Sequence, residues 1–160
     1  MEKILISSCF LGNKVRYDGG DNLLVNNTLK RWKKDKRLIV ICPELAGGLT
    51  IPRAPAELQQ YGEIITIKTI DGDDVTLAFE HGAQQALLLC YKHDIRYALL
   101  KESSPSCGSS SIYDGKFRQQ KIPGQGVTTV LLRANGIKVF SEKTLPILIR
   151  ELTDNGAQLI

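Results

Sequence analysis

The sequence has little of several residue types on which common functions depend. It contains only two histidines, His81 and His93, and aromatic residues make up 6% of its 160 residues. None of the four cysteines stands in a Cys-x-x-Cys pair, which argues against a thioredoxin motif and against a zinc ribbon. No segment approaches the roughly 20 apolar residues that a membrane-spanning helix needs, so we expect no membrane partner.

The rest of the composition is that of a globular protein. Hydrophobic residues make up 42% and charged residues 24% of the chain, and the length fits a single domain over residues 1–160. The first ten residues, MEKILISSCF, place an acid at position 2 and only a short apolar run before polar residues, unlike a secretory signal. We therefore expect a cytoplasmic protein with reduced thiols.

Much of the formal net charge of +4 comes from one run, LKRWKKDKR, over Leu29–Arg37. Such a run is typical of a solvated helix face, on which lysine and arginine side chains extend into water. It could also form a patch that faces RNA, and one run of this length is a weak signal for either.

Short aliphatic runs alternate with amphipathic stretches along the chain. The aliphatic runs predict buried parallel strands over residues 3–8, 37–42, 97–101 and 136–140. The amphipathic stretches predict helices over residues 22–36, 73–94, 126–135 and 142–156, the second with Asp73 or Asp74 as N-cap. This alternation predicts an α/β fold: an open, mainly parallel, Rossmann-like sheet with helices on both faces. Residues Gly62–Thr76 predict a small inserted hairpin or short strand with an IDGDD turn.

Three of the cysteines follow predicted strands. Cys9 comes directly after the first strand, Cys42 ends the second, and Cys107 lies in the loop after the third, in LLKESSPSCGSSS. Because the carboxyl ends of parallel strands meet at one edge of a sheet, we expect these thiols to converge. Cys90 lies instead on the apolar side of a predicted helix, where a structural role is expected.

Three thiols at one edge allow several chemistries. A zinc site with three cysteines needs a fourth ligand, commonly histidine, but His81 and His93 fall on the same predicted helix as Cys90, away from that edge. A nucleophilic cysteine would likewise lack a histidine base there. Thiolates are the normal ligands of iron–sulfur clusters, and a [4Fe–4S] cluster held by three cysteines leaves one iron open. The residues favour the cluster but leave zinc and metal-free thiols open.

Four blocks in a fixed order carry a resemblance to a known family: CFLGNKVRYDGG, CPELAGGLTIPRAPAE, SPSCG with IYDG, and GQGVTTVLLRANGIKVFSE. Over Lys3–Glu142 the chain resembles the small bacterial thiouracil desulfidase family, formerly a family of unknown function. The resemblance implies a [4Fe–4S] cluster held by Cys9, Cys42 and Cys107, with one open iron that binds the substrate sulfur. It implies a non-redox, hydrolytic cleavage of the C–S bond that converts 2-thiouracil to uracil and sulfide.

The same resemblance points to Glu44 and Ser104 as catalytic residues. Glu44, two residues after Cys42, would act as the acid/base that activates water. Ser104, rather than its neighbour Ser103, would relay protons or fix the base by a hydrogen bond. Glu44 could instead cap a turn, and Ser104 could only shape one.

Four further residues are candidates for substrate binding: Arg16, Arg53, Ser103 and Lys101. The two arginines could hold a carbonyl or an anion, although pairing with Asp18 or Glu57 explains them equally well. The lysine could act on the electrostatics of the cluster or be a surface charge.

Two other functions stay open. The chain could be a base- or nucleotide-binding module with structural or zinc-bound cysteines, which would be colourless and would not turn substrate over. It could also be a desulfidase for thiolated tRNA, with Lys30–Arg37 as a salt-sensitive RNA contact. We expect a small thiolated pyrimidine as the partner rather than a nucleic acid.

Overall fold

The computed structural model describes residues 1–158 and the side chains of residues 1–153. In chain order its elements are β1 (Ile4–Ser7), α1 (Asn27–Lys34), β2 (Leu38–Ile41), α2 (Pro43–Ala46), β3 (Ala56–Tyr61), β4 (Ile64–Thr69), α3 (Thr76–Lys92), β5 (Tyr97–Leu99), β6 (Ser111–Tyr113), β7 (Lys121–Pro123), α4 (Val127–Ala134), β8 (Lys138–Phe140) and α5 (Leu145–Gln158). A 3-10 turn, Ser8–Leu11, follows β1. No helix within these residues is both long and apolar enough to cross a membrane.

The four predicted strands form one parallel sheet in the order β2-β1-β5-β8. Ile4 pairs with Leu38 on one side and with Tyr97 on the other, so β1 lies in the middle. The chain runs outward from β1 to β2 and then returns to β5 on the opposite side of β1. The direction of winding therefore reverses between β1 and β5, which is where open α/β sheets bind ligands.

Helices cover both faces of this sheet, which confirms the predicted fold class. Successive residues of a strand point to opposite faces. Ile4 and Ile6 of β1 pack in a cluster with residues of α1 and α5, whereas Leu5 packs on the other face with residues of α3 and α4. Cys90 lies in that second cluster and is 1% exposed, in keeping with its predicted structural role.

Three predicted helix starts are wrong by several residues. Helix α1 begins at Asn27 rather than residue 22, because the side chain of Asn26 accepts hydrogen bonds from the backbone N–H groups of Thr28 and Leu29. Helix α3 begins at Thr76 after Val75, so neither Asp73 nor Asp74 is its N-cap. Helix α5 begins at Leu145 rather than residue 142.

The inserted hairpin lies further upstream than predicted. Strands β3 and β4 pair antiparallel around Gly62, whose φ of 63° suits a tight turn. The predicted IDGDD turn is present after β4: the backbone N–H of Gly72 donates to the carbonyl of Thr69 (2.9 Å), and Lys68 and Asp74 form an antiparallel bridge before α3 begins. A second hairpin, β6 with β7, and the four-residue helix α2 were not predicted. Leu58 and Ile67 of the first hairpin pack with Phe79 of α3 and Ile112 of β6, which fixes both hairpins to the main fold.

Candidate active site

The carboxyl ends of β1, β2 and β5 open onto a cavity of about 610 Å³. Its wall includes all three thiols expected there because each follows a parallel strand, Cys9, Cys42 and Cys107. Each thiol arrives from a different strand end. Within the described residues, no group of three or more His, Cys, Asp or Glu side chains is placed to hold a metal ion.

Cys9 lies in the 3-10 turn that follows β1 and is 8% exposed. Its carbonyl oxygen accepts hydrogen bonds from the backbone N–H groups of Gly12 (3.2 Å) and Asn22 (3.0 Å), and the carbonyl of Phe10 accepts one from Leu24. The segment predicted as the first turn of α1 is therefore extended, since its backbone binds the turn that holds Cys9.

Cys42 precedes the short helix α2, which packs closely on α3. Gly47, just after α2, and Gly82 of α3 make the contact possible: a Cβ on Gly82 would lie 1.9 Å from the carbonyl oxygen of Pro43, and one on Gly47 would lie 1.9 Å from that of Ala78. Two facing glycines thus let backbone approach backbone. The contact fixes both Cys42 and Glu44.

Cys107 lies between β5 and β6, within residues 102–110, and we call these residues the Cys107 loop. Its backbone N–H donates to the Ser104 hydroxyl (2.7 Å), and its thiol donates to the Ser106 hydroxyl (3.4 Å). The fully buried hydroxyl groups of α4 hold the loop from the other side. Ser106 is 2.8 Å from the Thr128 hydroxyl, and the Thr129 hydroxyl donates to the carbonyl of Cys107 (2.9 Å).

Burial raises the pKa of all three thiols, that of Cys107 to about 12. Positive charges oppose the rise: Lys101 lowers the pKa of Cys9, and Arg53 lowers that of Cys42. Hydrogen bonds with the hydroxyl groups of Ser106 and Ser104 likewise lower the pKa of the Cys107 thiol. The free thiols are therefore neutral at pH 7, and a bound metal would displace their protons.

Glu44, in α2, is held by one arginine. Its Oε1 accepts a hydrogen bond from Arg53 Nε at 3.3 Å, while Oε2 accepts none from the described residues. Burial raises the pKa of Glu44 and the charge of Arg53 opposes that rise. Arg53 also donates to the carbonyls of Thr50 and Val15, so each of its three side-chain nitrogens donates to a protein oxygen. The expected pairing of Arg53 with Asp18 or Glu57 is wrong, because its ionic partner is Glu44.

The other predicted residues also line the cavity, but each has a protein partner. Arg16 contacts Asp18 at 3.6 Å, as one interpretation expected, and donates to the side chain of Asn22 at 3.1 Å. Ser103 is 4% exposed, and its hydroxyl lies 2.8 Å from that of Ser111.

Lys101 and Ser104 have their own partners. Lys101 forms an ion pair with Glu142 at 3.2 Å. The hydroxyl of Ser104 accepts the Cys107 amide, so this serine does shape the turn, yet the same hydroxyl lowers the pKa of the Cys107 thiol.

The sequence analysis did not predict that two glutamates are buried and hold loops of the cavity. Glu102 is 3% exposed and accepts hydrogen bonds from the Cys107 loop. Glu57 is 9% exposed and accepts from the backbone N–H groups of Gly115 and Phe117, in the β6–β7 hairpin. A glutamate in a loop rich in serine was the available signal for Glu102, since serine hydroxyls and loop amides can satisfy a buried carboxylate.

The second hairpin supplies the outer wall of the cavity. Tyr113, Phe117 and Lys121 line it, and the Lys121 ammonium lies 5.7 Å from the centre of the Tyr113 ring. This wall brings aromatic surface to a cavity whose inner end is lined by thiols. Aromatic and polar groups around one cleft are typical of small-molecule sites.

A parallel α/β sheet, a cavity at its switch point and three convergent thiols beside a partly buried carboxyl define the class of an α/β enzyme with a cysteine-rich active site. The model of the 2-thiouracil desulfurase family matches residues 4–144. The chain belongs to this family.

Two relatives agree with this assignment. The chain is 39% identical over 148 residues to the uncharacterized protein YbbK of Bacillus subtilis (strain 168), covering 89% of this chain and 97% of YbbK. It is 50% identical to a solved structure, the [4Fe-4S]-dependent thiouracil desulfidase TudS, with a TM-score of 0.90. That likeness covers 96% of this chain and 99% of the TudS chain.

Proposed function

We propose that this chain hydrolyses the C–S bond of 2-thiouracil-type pyrimidines, with a [4Fe–4S] cluster held by Cys9, Cys42 and Cys107. Water supplies the oxygen of the carbonyl product, and the sulfur leaves as sulfide, so no electron is gained or lost. The observation that carries the proposal is that thiols from three strand ends line the same cavity as the Glu44 carboxyl. Family membership and the likeness to TudS support it.

The residues fit such a cluster. The donor set is sulfur from three cysteines, without a histidine, which suits iron–sulfur chemistry. The backbone N–H groups of Leu45 and Glu44 lower the pKa of Cys42, and hydroxyl groups do so at Cys107, so donors already face the sulfur atoms. When bound, the cluster would supply an iron without a protein ligand, a Lewis acid for the soft sulfur of a thiocarbonyl.

Glu44 is proposed as the acid/base. Its Oε2, which accepts no hydrogen bond from residues 1–153, is available to take a proton from the attacking water. Arg53 holds Oε1 and so fixes the direction in which the carboxyl points. Because burial raises the pKa of Glu44, the carboxyl binds that proton readily and can return it to the departing sulfur.

Arg16 and Ser104 receive different roles. Arg16 lines the cavity with a side chain that is partly exposed, and it is the proposed contact for the oxygen of a pyrimidine. Ser104 is proposed to favour the thiolate form of Cys107 through its hydroxyl. Arg53, each of whose side-chain nitrogens already donates to a protein oxygen, is assigned to Glu44 rather than to the substrate.

The test is anaerobic reconstitution, followed by iron and acid-labile sulfide analysis, the visible spectrum and release of uracil from 2-thiouracil. We expect about four irons per chain in the wild type and in the control Cys90→Ala. Cys9→Ala, Cys42→Ala and Cys107→Ala should lose the cluster, whereas Glu44→Gln should keep it and lose turnover. A colourless protein with one zinc per chain would contradict the proposal and favour a binding module.

A further inference from the structure

The Cys107 loop is wrapped around one buried carboxylate, that of Glu102. Its Oε1 accepts hydrogen bonds from four backbone N–H groups, those of Ser103 (3.2 Å), Ser109 (2.7 Å), Ser110 (3.0 Å) and Ser111 (3.2 Å). Its Oε2 accepts two hydroxyl groups, those of Ser109 (2.6 Å) and Ser110 (3.2 Å). Glu102 is only 3% exposed. Six donors from both ends of the loop thus converge on one side chain.

We propose that Glu102 is the positioning residue for the active-site thiol of Cys107: it closes the Cys107 loop and so holds the third ligand in place before any cluster binds. The inference rests on the proposed function, because it assigns Cys107 as a ligand. The Glu102 carboxylate acts on the loop rather than on the thiol, since its hydrogen bonds go to residues on either side of Cys107.

The geometry explains why a carboxylate is needed. A loop that turns back on itself leaves several N–H groups pointing inward, away from water and from any strand. An ionised carboxylate only accepts hydrogen bonds, and the six donors share its two oxygens, so no donor of the loop faces another donor. Donation by these serines lowers the pKa of Glu102 to about 2, although burial opposes the shift. The side chain is therefore ionised at pH 7, and charge-assisted hydrogen bonds are the strong ones.

Two further contacts tie the backbone at Glu102 to the site. The backbone N–H of Glu102 donates to Oε1 of Glu142 at 2.9 Å, and Glu142 also pairs with Lys101. Lys101 is the lysine whose charge lowers the pKa of Cys9. The position of the Cys107 loop is thereby coupled to the charge that acts on Cys9.

The test uses the protein without cluster and measures how fast each cysteine reacts with N-ethylmaleimide, resolved by peptide mass spectrometry. In Glu102→Gln the side-chain amide would face N–H donors, so the loop should open more often. We expect labelling of Cys107 to rise roughly tenfold or more, the equivalent of losing one charge-assisted hydrogen bond. Labelling of Cys42 and Cys90 in the same molecules should change less than about twofold, as they lie outside the loop.

Two variants keep the experiment decisive if Glu102→Gln folds poorly. Ser109→Ala removes one hydroxyl donor and should raise Cys107 labelling by a smaller factor. Glu102→Asp keeps the charge, so it should raise Cys107 labelling less than Glu102→Gln does. The matched control is Glu57→Gln, a buried carboxylate that also holds backbone N–H groups of a cavity loop, those of Gly115 and Phe117, which lie outside the Cys107 loop. It should leave Cys107 labelling unchanged.

Reconstitution of the same variants supplies the second readout. Glu102→Gln should bind less iron and show an altered visible spectrum, whereas Glu57→Gln should bind a full cluster. If all four cysteines become reactive together, Glu102 has only a general structural role and the proposal is overturned, as it is if Cys107 labelling does not change. A wild type that binds no iron but shows the labelling pattern would overturn the proposed function and leave the loop assignment intact.

Discussion

Replacing Gly82 with alanine tests how strictly the site depends on the contact between α2 and α3. The new Cβ would lie 1.9 Å from the carbonyl oxygen of Pro43, whereas Cβ atoms essentially never approach another heavy atom closer than 3.0 Å. Helix α2 must therefore move by about 1 Å, since close-packed interiors transmit such a strain. Cys42 and Glu44 move with α2.

Two effects of opposite sign compete in Gly82→Ala. Alanine favours helix α3 over glycine by about 1 kcal/mol. Overpacking costs about 1–3 kcal/mol, and here the obstacle is backbone, which has no alternative rotamer. We expect the contact to dominate, with a net loss of about 1 kcal/mol in the free energy of unfolding. A displacement of about 1 Å at Glu44 should lower kcat by roughly 10²-fold.

The assay is urea unfolding of the cluster-free protein, together with iron content and kcat on 2-thiouracil. Leu88→Ala, at a position of α3 that is 57% exposed, is the control and should change stability by less than about 0.5 kcal/mol. Gly47→Ala, whose Cβ would meet the carbonyl of Ala78 at 1.9 Å, should behave like Gly82→Ala. A Gly82→Ala protein that is more stable than the wild type and fully active would refute the reasoning.

Four further perturbations have defined outcomes. Glu44→Gln should lower kcat by roughly 10²–10⁴-fold with iron content unchanged; a loss of iron would instead make Glu44 structural. Arg53→Met removes the charge that opposes the raised pKa of Glu44, so the acid limb of the kcat profile should move to higher pH, and an unmoved limb would exclude Glu44 as the base. Because the pKa of Glu102 falls from an ordinary 4.5 to about 2 on folding, its contribution to stability is present above pH 4.5 and is lost as the pH falls toward 2. The free energy of unfolding, measured over that range, should depend less on pH in Glu102→Gln than in the wild type. Reversing the exposed charges of Lys33 and Lys34 should leave turnover of the free base unchanged, while weaker binding of thiolated tRNA would support the RNA interpretation.

The central sheet was predictable because its signal is local. Each of the four parallel strands is a short aliphatic run bounded by turn residues, and the structure has a strand within each run. Three elements that escaped prediction lack such a run: α2 has only four residues, and β6 (SIY) and β7 (KIP) contain one isoleucine each. These short elements form the walls of the cavity. The extended segment before α1 escaped because its hydrogen bonds go to the distant Cys9 turn.

The residues of the site also divide into features that were predictable from the sequence and features that were not. The positions of Cys9, Cys42 and Cys107 just after strands are a property of the sequence, and the parallel arrangement then requires them to share an edge. The partners of Glu44 and Glu102 are not readable from the sequence, because many serines, lysines and arginines in these loops could have paired with either carboxylate.

The sequence by itself determined the layered α/β class, the edge at which the thiols gather and the family to which the chain belongs. Only the tertiary structure decided that β1 lies between β2 and β5, so that the three strand ends are adjacent. It also decided that Arg53 pairs with Glu44, and that Glu57 binds Gly115, 58 residues away. The physical reason is that strand formation depends on neighbouring residues, whereas a buried carboxylate takes whichever donors the completed fold brings within reach.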